Sequence, residues 1–456
     1  MRERAGDAIG RLRGQLDNSL FPAAPQEDST FKGWEAGLII VSLVALGAVL
    51  QLFRIGPSTA LNSLWAEDGA VFLGGALTHG FFDSVTTPYA EYLVVMPRLI
   101  AETGTLVPLH DAPMAMNIAT VIVIALSGLA VWFASAGHIR NPYLRALLAG
   151  LMVLSPVCTL EAVATATNIA WFMAFAVFWL LFWRPKTTWG ACLGGLLILV
   201  TGLSTPGTLF FAPVALLRAI AIRGRRDAIV VGSYALAAAL QLIAIANSTE
   251  TIAGDTWSHN ILTAFLQRVV DGSVLGLELA GETWLDWGWP FLIGIVVAVA
   301  TYLIVMLLRV ASNRSFAAIA IVTSVVMFLA SSYTRAVGDV MVWRSDVYND
   351  FGGRYAIVPT LLLLSAGLAL LDSHYRSAKK RLPVLAIVAA AVLLTSIVTS
   401  FDVSRDESDR GGPPWDDAVR TATTECETKK LAEVPVYTAP AGWSVAVSCQ
   451  SLAPKD

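Results

Sequence analysis

The residues best suited to do chemistry form the run Trp65-Ala66-Glu67-Asp68-Gly69. Two adjacent carboxylates beside an indole suit a general base with a neighbour that tunes it, or ligation of a divalent metal. A loop of ordinary solvated charges is the plainer alternative. The chain continues through His79, Asp83, Pro88-Tyr89, Glu91-Tyr92 and Pro97-Arg98, alternating polar and aromatic with apolar groups as a half-buried interfacial structure requires. A second set consists of arginines: Arg335, Arg344, Arg354 within Gly352-Gly353-Arg354-Tyr355, and Arg98. A guanidinium can clamp a phosphate in two-pronged fashion, and the glycines either let backbone approach a ligand or form a turn. Pairing with Asp339, Asp346 or Asp350, and of Arg98 with Glu102 one turn on, is the plainer alternative. A third set is Glu161 and Asn168, flanking a short loop, with Trp171 a turn later. These residues suit sugar hydroxyls and a stacked sugar ring, or simply face water. His259 reads as structural, and Trp284, Trp287 and Trp289 read as an interfacial aromatic belt.

Groups like these need a scaffold, and composition points to one. The chain has 456 residues, 56% hydrophobic and 14% charged, against roughly 25% charged in ordinary soluble domains. Mean hydropathy is +0.65. These values exclude a soluble enzyme, a disordered chain, a collagen-like fibre and a disulfide-rich secreted module. A net charge of −3 gives no basic field for nucleic acid. The fold class is an all-α multi-pass transmembrane protein.

A bilayer core needs about 20 apolar residues per helix. Apolar runs fall near 34–53, 112–136, 143–160, 168–183, 188–203, 207–222, 228–247, 288–308, 315–334, 354–372 and 383–401, about eleven helices. Segment 84–111 is apolar in part but carries Glu91, Pro97, Arg98, Glu102 and Pro108. If it stays on one side and the N-terminus is cytoplasmic, the inner loops hold fourteen basic residues and the outer loops six. Crossing would reverse that bias, so the positive-inside rule places 84–111 outside, as interfacial amphipathic helices. The expected organisation is a cytoplasmic tail over 1–33, a transmembrane domain over 34–401 with a first outer loop at 54–111, and an extracytoplasmic tail over 402–456.

The first 32 residues hold five basic and five acidic residues and show no cleavable signal, so the first span is expected to act as an uncleaved anchor. Cys158 and Cys192 lie in apolar runs. Cys426 and Cys449 share the C-terminal tail, where an extracytoplasmic location favours a disulfide. In that tail 434–437 and 443–447 alternate and are expected to pair as a hairpin. The 24 arginines among 31 basic residues hint at a bacterium with high GC content. No Gly-rich loop with Lys, His-Glu-X-X-His or Cys-X-X-Cys is present, which argues against an ATP motor and a zinc enzyme.

A first span, an outer loop with an acidic motif and interfacial helices, then many further spans, resembles the GT-C superfamily of integral-membrane glycosyltransferases. The resemblance rests on topology and on the Glu67-Asp68 motif. It implies a sugar moved from a polyprenyl-phosphate donor to a cell-envelope glycan or glycolipid acceptor, on the extracytoplasmic face of a bacterial plasma membrane. Glu67 or Asp68 would be the base or a metal ligand. The adjacent acids depart from the Asp-X-Asp form of some members. Expected substrate contacts are Arg98, Glu161, Asn168, Arg344, Arg354 and Tyr355, and the expected partners are the lipid-linked sugar and membrane lipids. Trp-X-Glu-Asp-Gly loops with Cys-containing tails are similar to those of actinobacterial membrane proteins of unassigned function. A lipid or polysaccharide transporter or flippase and a non-catalytic envelope-assembly subunit are the alternatives.

Overall fold

Long runs of leucine, valine, isoleucine and alanine satisfy their backbone internally as helices, because a bilayer core offers no other hydrogen-bond partners. The computed structural model describes residues 14, 16–17, 19–25, 33–221, 224–248, 260–335, 341–343, 352–377, 383–403 and 412–452. Arg344 and His259 lie outside them. Among the described residues six helices are long and apolar enough to span: Gly33–Ile55, Leu109–Gly137, Arg225–Asn247, Trp289–Arg309, Arg314–Thr334 and Arg354–Ser377. Ile169–Phe182, Thr188–Gly202, Pro206–Ala221 and Ala390–Thr399 are shorter apolar helices. The chain is therefore an all-α membrane protein. We label as α1 Gly33–Ile55, α2 Val95–Thr105, α3 Ala112–Ala134, α4 Pro142–Gly150, α5 Ile169–Phe182, α6 Arg225–Asn247, α7 Arg314–Thr334, α8 Arg354–Ser377, α9 Pro383–Thr399 and α10 Trp415–Lys429.

The centre of the bundle is α5 and α8. In α5 every residue but Trp171 is buried, the pattern of a helix surrounded by protein. The long helix α8 is mostly buried and packs along α7, where Ser324 Oγ donates to the carbonyl of Pro359 at 2.7 Å. The outer spans such as α1 turn their apolar faces outward.

The run expected to span at 143–160 is instead broken. Helix α4 starts behind Asn141, whose Oδ1 accepts from Tyr143 N at 2.9 Å, and ends at Gly150. Residues 151–168 then form successive turns, most of them buried. Irregular backbone at membrane depth is tolerated where protein satisfies its polar groups. Arg54, fully buried at the end of α1, does much of this. Its guanidinium donates to the carbonyls of Val153 (3.0 Å), Ser155 (3.1 Å), Ser400 (3.0 Å) and Phe401 (3.0 Å). It thus joins the first span, the broken segment and the C-terminal end of α9, where the helix dipole favours a cation.

Segment 62–109 leaves and returns at one end of the bundle, because both its ends meet Trp415. Trp415 N donates to Asn62 O at 2.9 Å and Trp415 Nε1 to Leu109 O at 2.8 Å. Its 11-residue helix α2 is too short to cross a bilayer. The C-terminal tail packs at the same end. Helix α10 covers a two-stranded antiparallel hairpin, β1 Glu433–Thr438 and β2 Trp443–Ser448, with Val434 opposite Val447 and Val436 opposite Val445. A Cys426–Cys449 disulfide closes it, with Cα atoms 5.6 Å apart. At the opposite end Phe21 is buried against Phe182, ring centroids 5.8 Å apart.

Candidate active site

The acidic turn starts at Ala66, whose φ is +27°, and runs into a π-helical turn, Asp68–Leu73. The two adjacent acids point to different tasks. Asp68 is 1% exposed, and its carboxylate accepts from Ala166 N (2.9 Å), Thr167 N (2.7 Å) and Thr167 Oγ1. It therefore fastens the turn to the broken segment. Burial pushes its carboxyl up from 3.8 to about 6, with the charge of Glu67 adding to that and the bonds from Thr167 and Ala166 opposing it.

Glu67 is half-buried and has no hydrogen-bond partner among the described residues. It acts electrostatically on Tyr89 and Arg354. Arg354 opens α8. Its backbone N donates to Glu161 Oε1 at 3.1 Å and its Nη1 to Glu161 Oε2 at 3.3 Å. Its guanidinium also lies over the Tyr355 ring, 5.2 Å from the centroid. Tyr355 in turn meets Trp171 edge to face at 5.4 Å. Trp171 is thus the one residue of α5 turned partly out of the core, toward this site.

A tight hairpin completes the group. Tyr89 and Tyr92 exchange backbone hydrogen bonds, with Ala90 and Glu91 between them at φ +49° and +78°. Two non-glycine residues in that region cost about 1–2 kcal/mol each, so packing must hold them. Gln241, fully buried in α6, supplies part of that hold. Its Oε1 accepts from Leu93 N at 3.1 Å and its Nε2 donates to Leu93 O at 3.2 Å. The guanidinium of Arg335, at the end of α7, stacks over Tyr92 at 5.5 Å. Burial, with Glu67 and Tyr92 nearby, pushes Tyr89 up to about 12, against the arginines. Tyr92 is pushed up as well, chiefly by burial.

Glu67, Glu161, Arg354 and Tyr355, more than 280 residues apart at the extremes, thus share one site. Asn168 is beside it but faces inward, donating from Nδ2 to Glu161 O at 2.6 Å and shaping the loop. Arg98 is a layer away, 4% exposed with its guanidinium 5.6 Å from the Phe72 ring, and makes no ion pair with Glu102. The sequence reading missed Thr167 and Gln241. A glutamine in an otherwise apolar span was the signal for the second. Nothing in the sequence marked Thr167.

Among the described residues these donors do not converge as a metal centre. Both Asp68 oxygens already accept from N–H and O–H groups, and among the described residues no three His, Cys, Asp or Glu converge. Of the two adjacent acids, Glu67 alone would remain to a divalent ion.

No family model matches the sequence, and no curated protein matches it. Among solved structures, the chain is similar to the Archaeoglobus fulgidus oligosaccharyltransferase crystallised with zinc and sulfate, at a TM-score of 0.40 and 12% identity. The match covers 85% of this chain and 55% of that protein, so the chain spans about half of its length.

Proposed function

We propose that the protein is a membrane glycosyltransferase of the GT-C type. It moves a sugar from a polyprenyl-phosphate donor to a hydroxyl of a cell-envelope acceptor on the extracytoplasmic face of a bacterial plasma membrane. The observation that carries this reading is the division of labour between the two acids. Asp68 is consumed by the protein, while the Glu67 carboxylate has no hydrogen-bond partner among the described residues and acts electrostatically on Arg354.

That arrangement suits an inverting displacement, which needs one base on the acceptor face. Glu67 takes the proton of the acceptor hydroxyl. The acceptor oxygen forms a bond to the anomeric carbon as the bond from that carbon to the phosphate oxygen breaks. The electron pair leaves with the lipid phosphate, whose charge Arg354 and Arg335 meet. Glu161 fixes the Arg354 fork before substrate arrives, and Trp171 and Tyr355 offer faces for a sugar ring.

The test is transfer of a labelled sugar from a synthetic polyprenyl-phosphate sugar by the purified protein in lipid nanodiscs. Glu67→Gln is expected to lower kcat by about 10²–10⁴-fold with an unchanged melting temperature. Normal turnover by that variant would refute the assignment. Asp68→Asn is expected to differ from Glu67→Gln in its effect on folding. Its amide NH2 would face an N–H donor on either side, so it loses stability as well.

A further inference from the structure

We propose that the C-terminal tail is a positioning clamp for the acidic turn, so that the backbone carrying Glu67 is set by residues 412–452 rather than by the transmembrane helices alone. The role of Glu67 as base rests on the function proposed above; the clamp itself does not.

The tail grips the turn from both sides. Ala439 N donates to Leu64 O at 3.0 Å and Ala66 N donates back to Ala439 O, so the tail and the turn pair as a short parallel bridge around Trp65. Two residues earlier, Asn62 receives Trp415 N on its carbonyl at 2.9 Å and Asp416 N on its Oδ1 at 3.0 Å. Two residues after Glu67, Gly69 lies so close to the tail that an added Cβ would stand 2.5 Å from Thr438 Cγ2. Ala66, the residue before Glu67, holds φ at +27°, a strained value that a free loop would relax. The tail supplies a rigid counterpart: Trp415, Val434, Val436, Val445 and Val447 are buried, and the Cys426–Cys449 disulfide ties α10 to the end of β2.

The experiment uses full-length protein in nanodiscs. It compares wild type, Cys426→Ser/Cys449→Ser, Gly69→Ala, and Gly69→Ala/Thr438→Ser. Two quantities are read: amide exchange over 62–69, and kcat and KM for the lipid-linked sugar. Gly69→Ala drives a methyl into Thr438 Cγ2, and Thr438→Ser removes that carbon, leaving Cβ at 3.5 Å. Gly69→Ala and the cysteine variant are expected to exchange at least about tenfold faster over 62–69. They should also lose about 10–100-fold in kcat at constant donor KM. Thr438→Ser should restore both quantities in the Gly69→Ala background. Unchanged exchange in Gly69→Ala, or no rescue, overturns the clamp even if the cysteine variant does not fold. If exchange follows the expected pattern while wild type transfers no sugar, the clamp stands and the proposed function falls.

Discussion

Both ends of the helix bundle bury polar side chains drawn from distant parts of the chain, but the two ends engage their acids differently. At the end opposite the tail, Asp372 accepts from Arg140 N (3.1 Å) and Asn141 N (2.9 Å) and pairs with Arg376 at 3.0 Å. Arg218 meets Asp227 at 2.6 Å and Leu181 O at 2.7 Å. Asn313 donates to His138 O and to Ser373 Oγ, both at 2.8 Å. In the Asp372–Arg376 and Arg218–Asp227 pairs each charge has its complement, which is how a buried ionic group is held for structure. At the tail end, Asp68 and Glu161 are consumed in the same way, but Glu67 has no hydrogen-bond partner and Arg335 no acid among the described residues. Among the described residues, five of the six non-glycine residues at positive φ, namely Ala66, Ala90, Glu91, Ala164 and Lys430, also fall at this end. Strain and unspent charge together mark a place where the fold is built around something other than itself.

Variants at the two ends should separate these roles. The largest effect is expected at Arg354. Arg354→Ala removes a guanidinium and strands Glu161, so kcat/KM for the lipid-linked sugar should fall about 10²–10³-fold. Arg354→Lys should recover only part, because an ammonium has no fork. Near-normal transfer by Arg354→Ala would erase the distinction between the ends. Next comes Asp372→Asn, which breaks a saturated cluster and should cost about 3 kcal/mol of stability, read by thermal unfolding. Activity per folded molecule should stay at the wild-type level, and a selective loss of kcat would show that this end also serves the reaction.

The smallest effect is a pH dependence from Asp68. Its native value of about 6 stands above the ordinary 3.8, so the native state binds more protons than the unfolded chain between those values. This contribution to stability is complete below 3.8 and is lost as pH rises through about 6. The melting temperature of wild type relative to Asp68→Asn should therefore fall by about 1–2 °C between pH 5 and pH 7. A flat difference would place Asp68 in wetter surroundings than the structure does.

Much of the architecture was legible because span formation is a local property. Ten of the eleven apolar runs lie on helices, though only six helices reach spanning length and apolarity among the described residues. The exception, 143–160, carries Arg145, Gly150 and Pro156, and a proline does not continue a helix. Arg54 and Leu277 N, far away in sequence, take up the carbonyls of Val153, Ser155 and Pro156 and so let the broken backbone be buried. Periodicity carries no trace of such a partner. The motif at 67–68 was equally visible, but its two carboxylates were interchangeable until Thr167 claimed one of them.

The sequence by itself determined the solvent this chain folds in, the positions of most of its apolar helices, the tail hairpin with its two cysteines, and the residue types available for chemistry. All of these follow from composition and short-range pattern. Tertiary structure alone decided which acid is consumed by hydrogen bonds, which residues gather around its neighbour, and that the tail grips the acidic turn through contacts spanning 354 residues of chain, from Asn62 to Asp416. The reason is physical. Apolar runs report the cost of exposing surface, which each residue carries with it. The task of a carboxylate depends on which donors reach it, and those come from chain segments that only the fold brings together.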